Sequence, residues 1–115
     1  MTANKDRIYL DHILECTTLI QSYTKDGKDA FLSNVLVRDA VLRRLQTMAE
    51  STQRLSEELK SKAPEVDWRA LSGFRNVLVH DYLEGIDIER VWTAVENYLP
   101  ELESAVSRLI DLGSD

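Results

Sequence analysis

The spacing of its apolar residues constrains this chain more than any other feature. They return every third or fourth position in four successive runs, the period of helices that each bury one face. From about Asp6 to Tyr23, Ile8, His12, Cys16, Leu19, Ile20 and Tyr23 recur at that spacing, and Ile13 and Leu14 widen the stripe. The stretch "TKDGKD" then supplies a turn. Ser33 or Asn34 can cap a long second helix carrying Val37, Val41, Leu45, Met48, Leu55 and Leu59 inward, with Thr52 the one polar residue of its stripe. "SKAPEVD" ends that helix through Pro64, and Asp67 can accept from the free amides of a third helix starting near Trp68. Gly85 is a plausible stop and Asp87 a restart. The fourth helix turns Ile88, Val91, Trp92, Val95, Leu99, Leu102, Val106 and Leu109 inward, and Pro100 is expected to kink or divide it. The pattern predicts an all-α protein, a single domain over residues 1–115 built as an up-and-down bundle of four to five helices, without internal repeats or low-complexity segments.

Composition narrows the class of function. A hydrophobic fraction of 43% and a charged fraction of 30% are those of a globular chain. No apolar run approaches the ~18 residues that would span a bilayer. The opening "MTANKDRIYL" lacks the apolar core of a signal peptide, and a lone Cys16 cannot close an internal disulfide, so the chain is expected in the cytoplasm. Two histidines and one cysteine far apart offer no zinc spacing, and neither a metal nor a cofactor is expected. The net charge of −6 argues against a protein that coats nucleic acid with its whole surface, so any nucleic-acid contact must be local; none with DNA is expected. Arg38, Arg43 and Arg44 lie together, and Arg69, Arg75 and Arg90 surround the segment "FRNVLVHDYLEG"; alone, either cluster reads as a solvated helix face. His12, on the apolar stripe between Ile8 and Cys16, reads as a core or boundary histidine with one nitrogen satisfied. Trp68, Trp92 and Met48 read as core residues.

That segment places Arg75, Asn76, His80 and Tyr82 within eight positions of a helical pattern. Asn76 and His80, four apart, share a face; Arg75 and Tyr82 share another; Arg75 and His80 stand about 140° apart. Spacing alone leaves open a solvated face with an incidental histidine. Taken as chemical types, an imidazole can accept a hydroxyl proton near neutral pH, and a guanidinium can hold a phosphate and stabilise the added charge of a phosphorane-like transition state. RNA cleavage suits that pair, because the 2′-hydroxyl is its own nucleophile and needs neither a nucleophilic side chain nor a metal. One copy offers a base but no evident second acid, which two copies meeting across a two-fold axis could supply.

"RNVLVHDY" resembles the R-x4-H-x-Y motif of the HepT-like ribonuclease toxins, a branch of the HEPN superfamily paired with a minimal nucleotidyltransferase antitoxin. "DRIYLDHILE" is similar to that family's opening helix, "VDWRALSGFRN" to its approach to the motif and "VWTAVENYLPELESAV" to its last helix, so nearly the whole chain is covered. Where many relatives read an "IGEA"-like stretch, this chain has "TMAESTQRL", a departure that bears on packing or pairing there. The resemblance implies a HEPN-like bundle acting as the toxin of a type VII toxin–antitoxin pair, a metal-independent endoribonuclease whose catalytic pair, Arg75 and His80, works at a homodimer cleft. It further implies a positioning role for Asn76. Tyr82 is the implied acceptor of AMP added by the cognate nucleotidyltransferase, which silences the toxin. A non-catalytic accessory subunit of a nucleotidyltransferase stays open as the alternative.

Overall fold

The computed structural model describes residues 4–80 and 84–113, and these form helices and their connections with no strand among them. Four principal helices carry the bundle: α1 (Asn4–Tyr23), α3 (Val35–Arg54), α5 (Trp68–His80), and a last one formed by α6 (Ile88–Thr93), a wider π-helical stretch (Ala94–Tyr98) and α7 (Leu99–Leu112). Two short helices, α2 (Lys28–Ser33) and α4 (Glu57–Lys60), lie between them. The all-α bundle expected from the periodicity is the architecture observed, consistent with the HEPN-like fold that the resemblance implies.

Capping explains most boundaries. Asn34 accepts from the Val37 amide at 3.2 Å, Asp67 from the Ala70 amide at 2.9 Å and Asp87 from the Arg90 amide at 3.3 Å. Each side chain satisfies one of the orphan donors that open a helix. Gly85 holds φ +99°, a left-handed conformation that favours glycine. Pro100 lies in the first turn of α7, directly after the π-helical stretch. It divides the last helix by a change of hydrogen-bond register, as its missing amide requires.

Three expectations are corrected. "TKDGKD" is not only a turn: from Lys28 it runs into α2, which has no side-chain cap and is too short to persist alone. Packing holds α2 in place, because Phe31 is buried and its ring centroid lies 5.4 Å from that of Trp92. The long second helix stops at Arg54 rather than continuing through Leu59. Asp6, itself buried, accepts from the Ser56 amide at 2.9 Å and from its hydroxyl at 2.6 Å, while that hydroxyl accepts from the Leu59 amide at 3.2 Å and starts α4. Ile8, expected inward, is 65% exposed, and Leu10 takes its place in the core with Ile13, Cys16 and Ile20.

The core lies where α1, α3 and α7 meet, filled by Leu10, Ile13, Ile20, Leu45, Met48, Leu102, Val106 and Leu109 among others. Cross-links pair the start of α1 with the end of α3 and the end of α3 with the middle of α5: Asp6 with Ser56, His12 with Ser51, Cys16 with Thr47, Glu50 with Arg75. α1 and α3 are therefore antiparallel, and so are α3 and α5, whose residues 39–46 on α3 lie beside Leu78 and Val79 while Glu50 meets Arg75. α5 packs chiefly on α3 and stands at the edge of the bundle.

Candidate active site

α5 is set by its two ends. Asp67 caps it, and Trp68 in its first turn donates through Nε1 to the Lys60 and Ala63 carbonyls, both at 3.2 Å, which pins the helix start to the segment before it. Its apolar side carries Leu71, Phe74 and Leu78 at helical spacing, of which Leu78 alone is fully buried. Arg75 lies four residues after Leu71 and three before Leu78, so it stands on the packed side of the helix. The opposite strip, made of Arg69, Gly73, Asn76 and His80, is exposed.

Arg75 is half-buried against α3. Its Nη2 lies 3.4 Å from Glu50 Oε1, a single long contact rather than a two-pronged one, and its Nε is buried with no hydrogen-bond partner among the described residues. An arginine offers five N–H donors, so most of this guanidinium is uncommitted. His80 is exposed in the last turn of α5 and makes no ion pair or hydrogen bond with the described residues. Asn76 is exposed on the same strip. The structure thus joins Asn76 and His80 on one face and turns Arg75 toward another, as their angular spacing requires. Tyr82 lies outside the described residues.

A shallow groove of about 290 Å³ runs between α3 and the end of α5, lined by Asp39, Leu42, Arg43, Gln46, Leu78 and Val79. It ends one residue short of His80, and neither Arg75 nor His80 lines it. Arg38, from the same basic cluster, is partly committed to the fold, since its Nη1 donates to the Leu32 carbonyl at 2.8 Å.

His12 is a structural residue: its Nδ1 meets the Ser51 hydroxyl at 2.6 Å and its Nε2 lies 3.5 Å from Cys16 Sγ. Burial pushes the Cys16 thiol up from its ordinary value, with hydrogen bonds from Thr47 and Arg44 working the other way, so the thiol stays protonated near neutral pH. No group of three or more His, Cys, Asp or Glu side chains that could hold a metal ion occurs among the described residues. Glu50 is the residue that sequence reasoning missed. It sits in "TMAESTQRL", twenty-five positions before Arg75, and no helical spacing links two residues so far apart.

An arginine with N–H donors to spare can bind phosphate, and an exposed histidine can move a proton. Residues 13–109 match the family "Ribonuclease HepT-like", and the chain belongs to that family of RNA-cleaving enzymes. A Methanocaldococcus jannaschii protein provisionally named an RNase is 31% identical over 107 residues, which cover 92% of this chain and 97% of that one. A Thermococcus cleftensis protein named "Probable ribonuclease HepT" is 29% identical over 102 residues, covering 88% and 92% of the two chains. A second M. jannaschii protein, whose name joins a gamma-glutamylcyclotransferase to a provisional RNase, is 32% identical over 106 residues; this chain spans 47% of its length, about half. No solved structure matches the chain. No helix of the described residues is long and apolar enough to cross a membrane.

Proposed function

We propose that the protein is a metal-independent endoribonuclease and the toxin of a type VII toxin–antitoxin pair, acting in the cytoplasm as a homodimer with Arg75 and His80 as its catalytic pair. The observation that carries this reading is an exposed His80, without a partner among the described residues, on the same edge helix as a half-buried Arg75 held by one long contact. His80 takes the proton of a ribose 2′-hydroxyl. The 2′-oxygen attacks the adjacent phosphorus, and the 5′-oxygen of the next nucleotide leaves and takes up a proton, giving a 2′,3′-cyclic phosphate and a 5′-hydroxyl end. Arg75 binds the phosphate and stabilises the charge that builds on it in the transition state. Asn76, one residue from Arg75 and on His80's face, orients the RNA.

A second copy completes the site. α5 leaves Val77 only partly covered, and a Cβ added at Gly73 on the neighbouring exposed strip would meet nothing within 4 Å, so another backbone can come close there. Two α5 strips facing each other across a two-fold axis set both motifs in one cleft and supply a second acid–base group for the leaving oxygen. The cognate nucleotidyltransferase silences the enzyme by AMP transfer: the Tyr82 hydroxyl attacks the α-phosphate of ATP and pyrophosphate leaves. The added phosphate and bulk then occupy a cleft that must receive RNA phosphate.

Total cellular RNA incubated with the purified protein in EDTA tests the nuclease. The parent should cut it, and His80→Ala should cut at least ~100-fold more slowly. Full activity in His80→Ala, or activity that EDTA abolishes, overturns the reading. Intact-mass spectra test the control point. With ATP, magnesium and the partner enzyme, the parent should gain AMP and Tyr82→Phe should not.

A further inference from the structure

We propose that Glu50 is a positioning residue for Arg75: from α3 it holds the guanidinium at Nη2 and leaves the accessible part of the group for phosphate. This rests on the assignment of Arg75 to RNA phosphate and adds the group that aims it.

The ion pair differs from the other two arginine–carboxylate pairs among the described residues. Arg7 with Asp11 and Arg108 with Glu65 join side chains that are each 45% exposed or more, whereas Arg75 is 29% exposed and its partner comes from a different principal helix. Exposed pairs of the first kind contribute little. Glu50 also stands on a fixed part of α3. Ala49 before it is wholly buried, and Ser51 after it is tied to His12 by the 2.6 Å hydrogen bond, so the carboxylate starts from a backbone that cannot swing. The contact itself is telling. A short two-pronged pair would occupy the guanidinium and shut out phosphate, while one long contact at Nη2 orients the group and leaves its other donors available. The buried Nε shows that the stem of the side chain is packed against the fold, so the accessible end of the guanidinium is held in one place. A cleft that places its donors before substrate binds loses less rate to reorganisation.

The carboxylate therefore does two opposing things. Its charge competes with phosphate for Arg75, which weakens substrate binding, and its geometry holds Arg75 where the transition state needs it. Removing it should split the kinetic constants. With a short RNA as substrate, Glu50→Ala should lower kcat by about 10–100-fold while KM stays level or falls. Glu50→Gln, which keeps an acceptor in the same place, should recover part of the lost kcat. An effect on folding alone would instead leave kcat per folded molecule unchanged, and circular dichroism counts the folded fraction. Equal kcat in parent and both variants, or a KM that rises with kcat unchanged, overturns the proposal.

A readout without turnover separates this from the nuclease assignment. In the 15N spectrum, the Arg75 Nε–H resonance should stand apart from exposed arginines in the parent and merge with them in Glu50→Ala. A resonance that does not move in that variant overturns the positioning role even if RNA is cut. A nuclease that survives Arg75→Ala overturns the phosphate assignment while this spectral difference still stands.

Discussion

α1 and α5 both pack on α3, and they use it differently. α1 drives Leu10, Ile13, Cys16, Thr17 and Ile20 into the interior, each with almost no exposed surface, and contributes Asp6 to the far end of α3. Of α5's thirteen residues Leu78 alone is fully buried, and the helix meets α3 through a long arginine–carboxylate contact beside a groove. One helix is part of the scaffold; the other is carried by it. A domain can leave a helix half-covered only if the rest of its core holds the fold, and α1, α3 and α7 supply that core. α5 is then free to expose polar side chains such as Asn76 and His80.

The comparison breaks if the two sides respond alike to mutation. Arg75→Ala should cost about 10²–10³-fold in RNA cleavage with the helical circular dichroism intact, as expected for a donor to the transition state. Leu45→Ala, at a core residue only 2% exposed, should do the reverse and destabilise by about 2–5 kcal/mol in urea unfolding. A larger loss of stability in Arg75→Ala than in Leu45→Ala would make α5 part of the scaffold. Next in size is Asp6→Ala, which removes two hydrogen bonds at Ser56 and leaves the cap of α4 unsupported, for a loss of roughly 1.5–3 kcal/mol on the same scale.

Gly73→Ala sharpens the difference. In an isolated chain the added methyl meets nothing, and an exposed helical Ala gains about 0.5–1 kcal/mol over Gly, so the melting temperature should rise. If two α5 strips meet at Gly73, the same methyl weakens the dimer by sedimentation equilibrium. A variant that is more stable and equally dimeric would put the pairing surface elsewhere.

The smallest effect lies on the scaffold side, where Glu65 bonds a backbone amide and pairs with Arg108; both interactions hold its carboxyl below the ordinary value. A folded-state pKa below the unfolded one contributes stability above the unfolded value, near 4.3, and loses it as the pH falls through the folded value. Arg108→Ala should therefore flatten, without removing, a shallow acid limb below about pH 4.5 in the stability profile, and at pH 7 lose only an exposed pair and the hydrogen bond to the Lys62 carbonyl.

Much of the molecule was legible in its sequence because it depends on neighbours in the chain. Helical period, the caps Asn34, Asp67 and Asp87, the break at Pro100 and the structural role of His12 all follow from residues within a few positions of one another, or from one polar residue on an apolar stripe. So does the place of "RNVLVH" on one helix, with Arg75 and His80 turned apart. The tertiary structure decided what rests on distant partners. Ile8 and Leu10 suit the same helix equally, and only the surface offered by α3 and α7 buries the second. α2 has too few residues to form by its own propensity and exists because Phe31 finds Trp92. α3 ends at Arg54 because a carboxylate fifty residues earlier takes the Ser56 amide. Glu50 meets Arg75 because antiparallel packing brings together two helices whose local sequences hold no sign of it. Local rules set where helices start, stop and face. Which polar groups meet is settled by the burial of side chains remote in sequence, whose hydrogen bonds exist only once the bundle has closed.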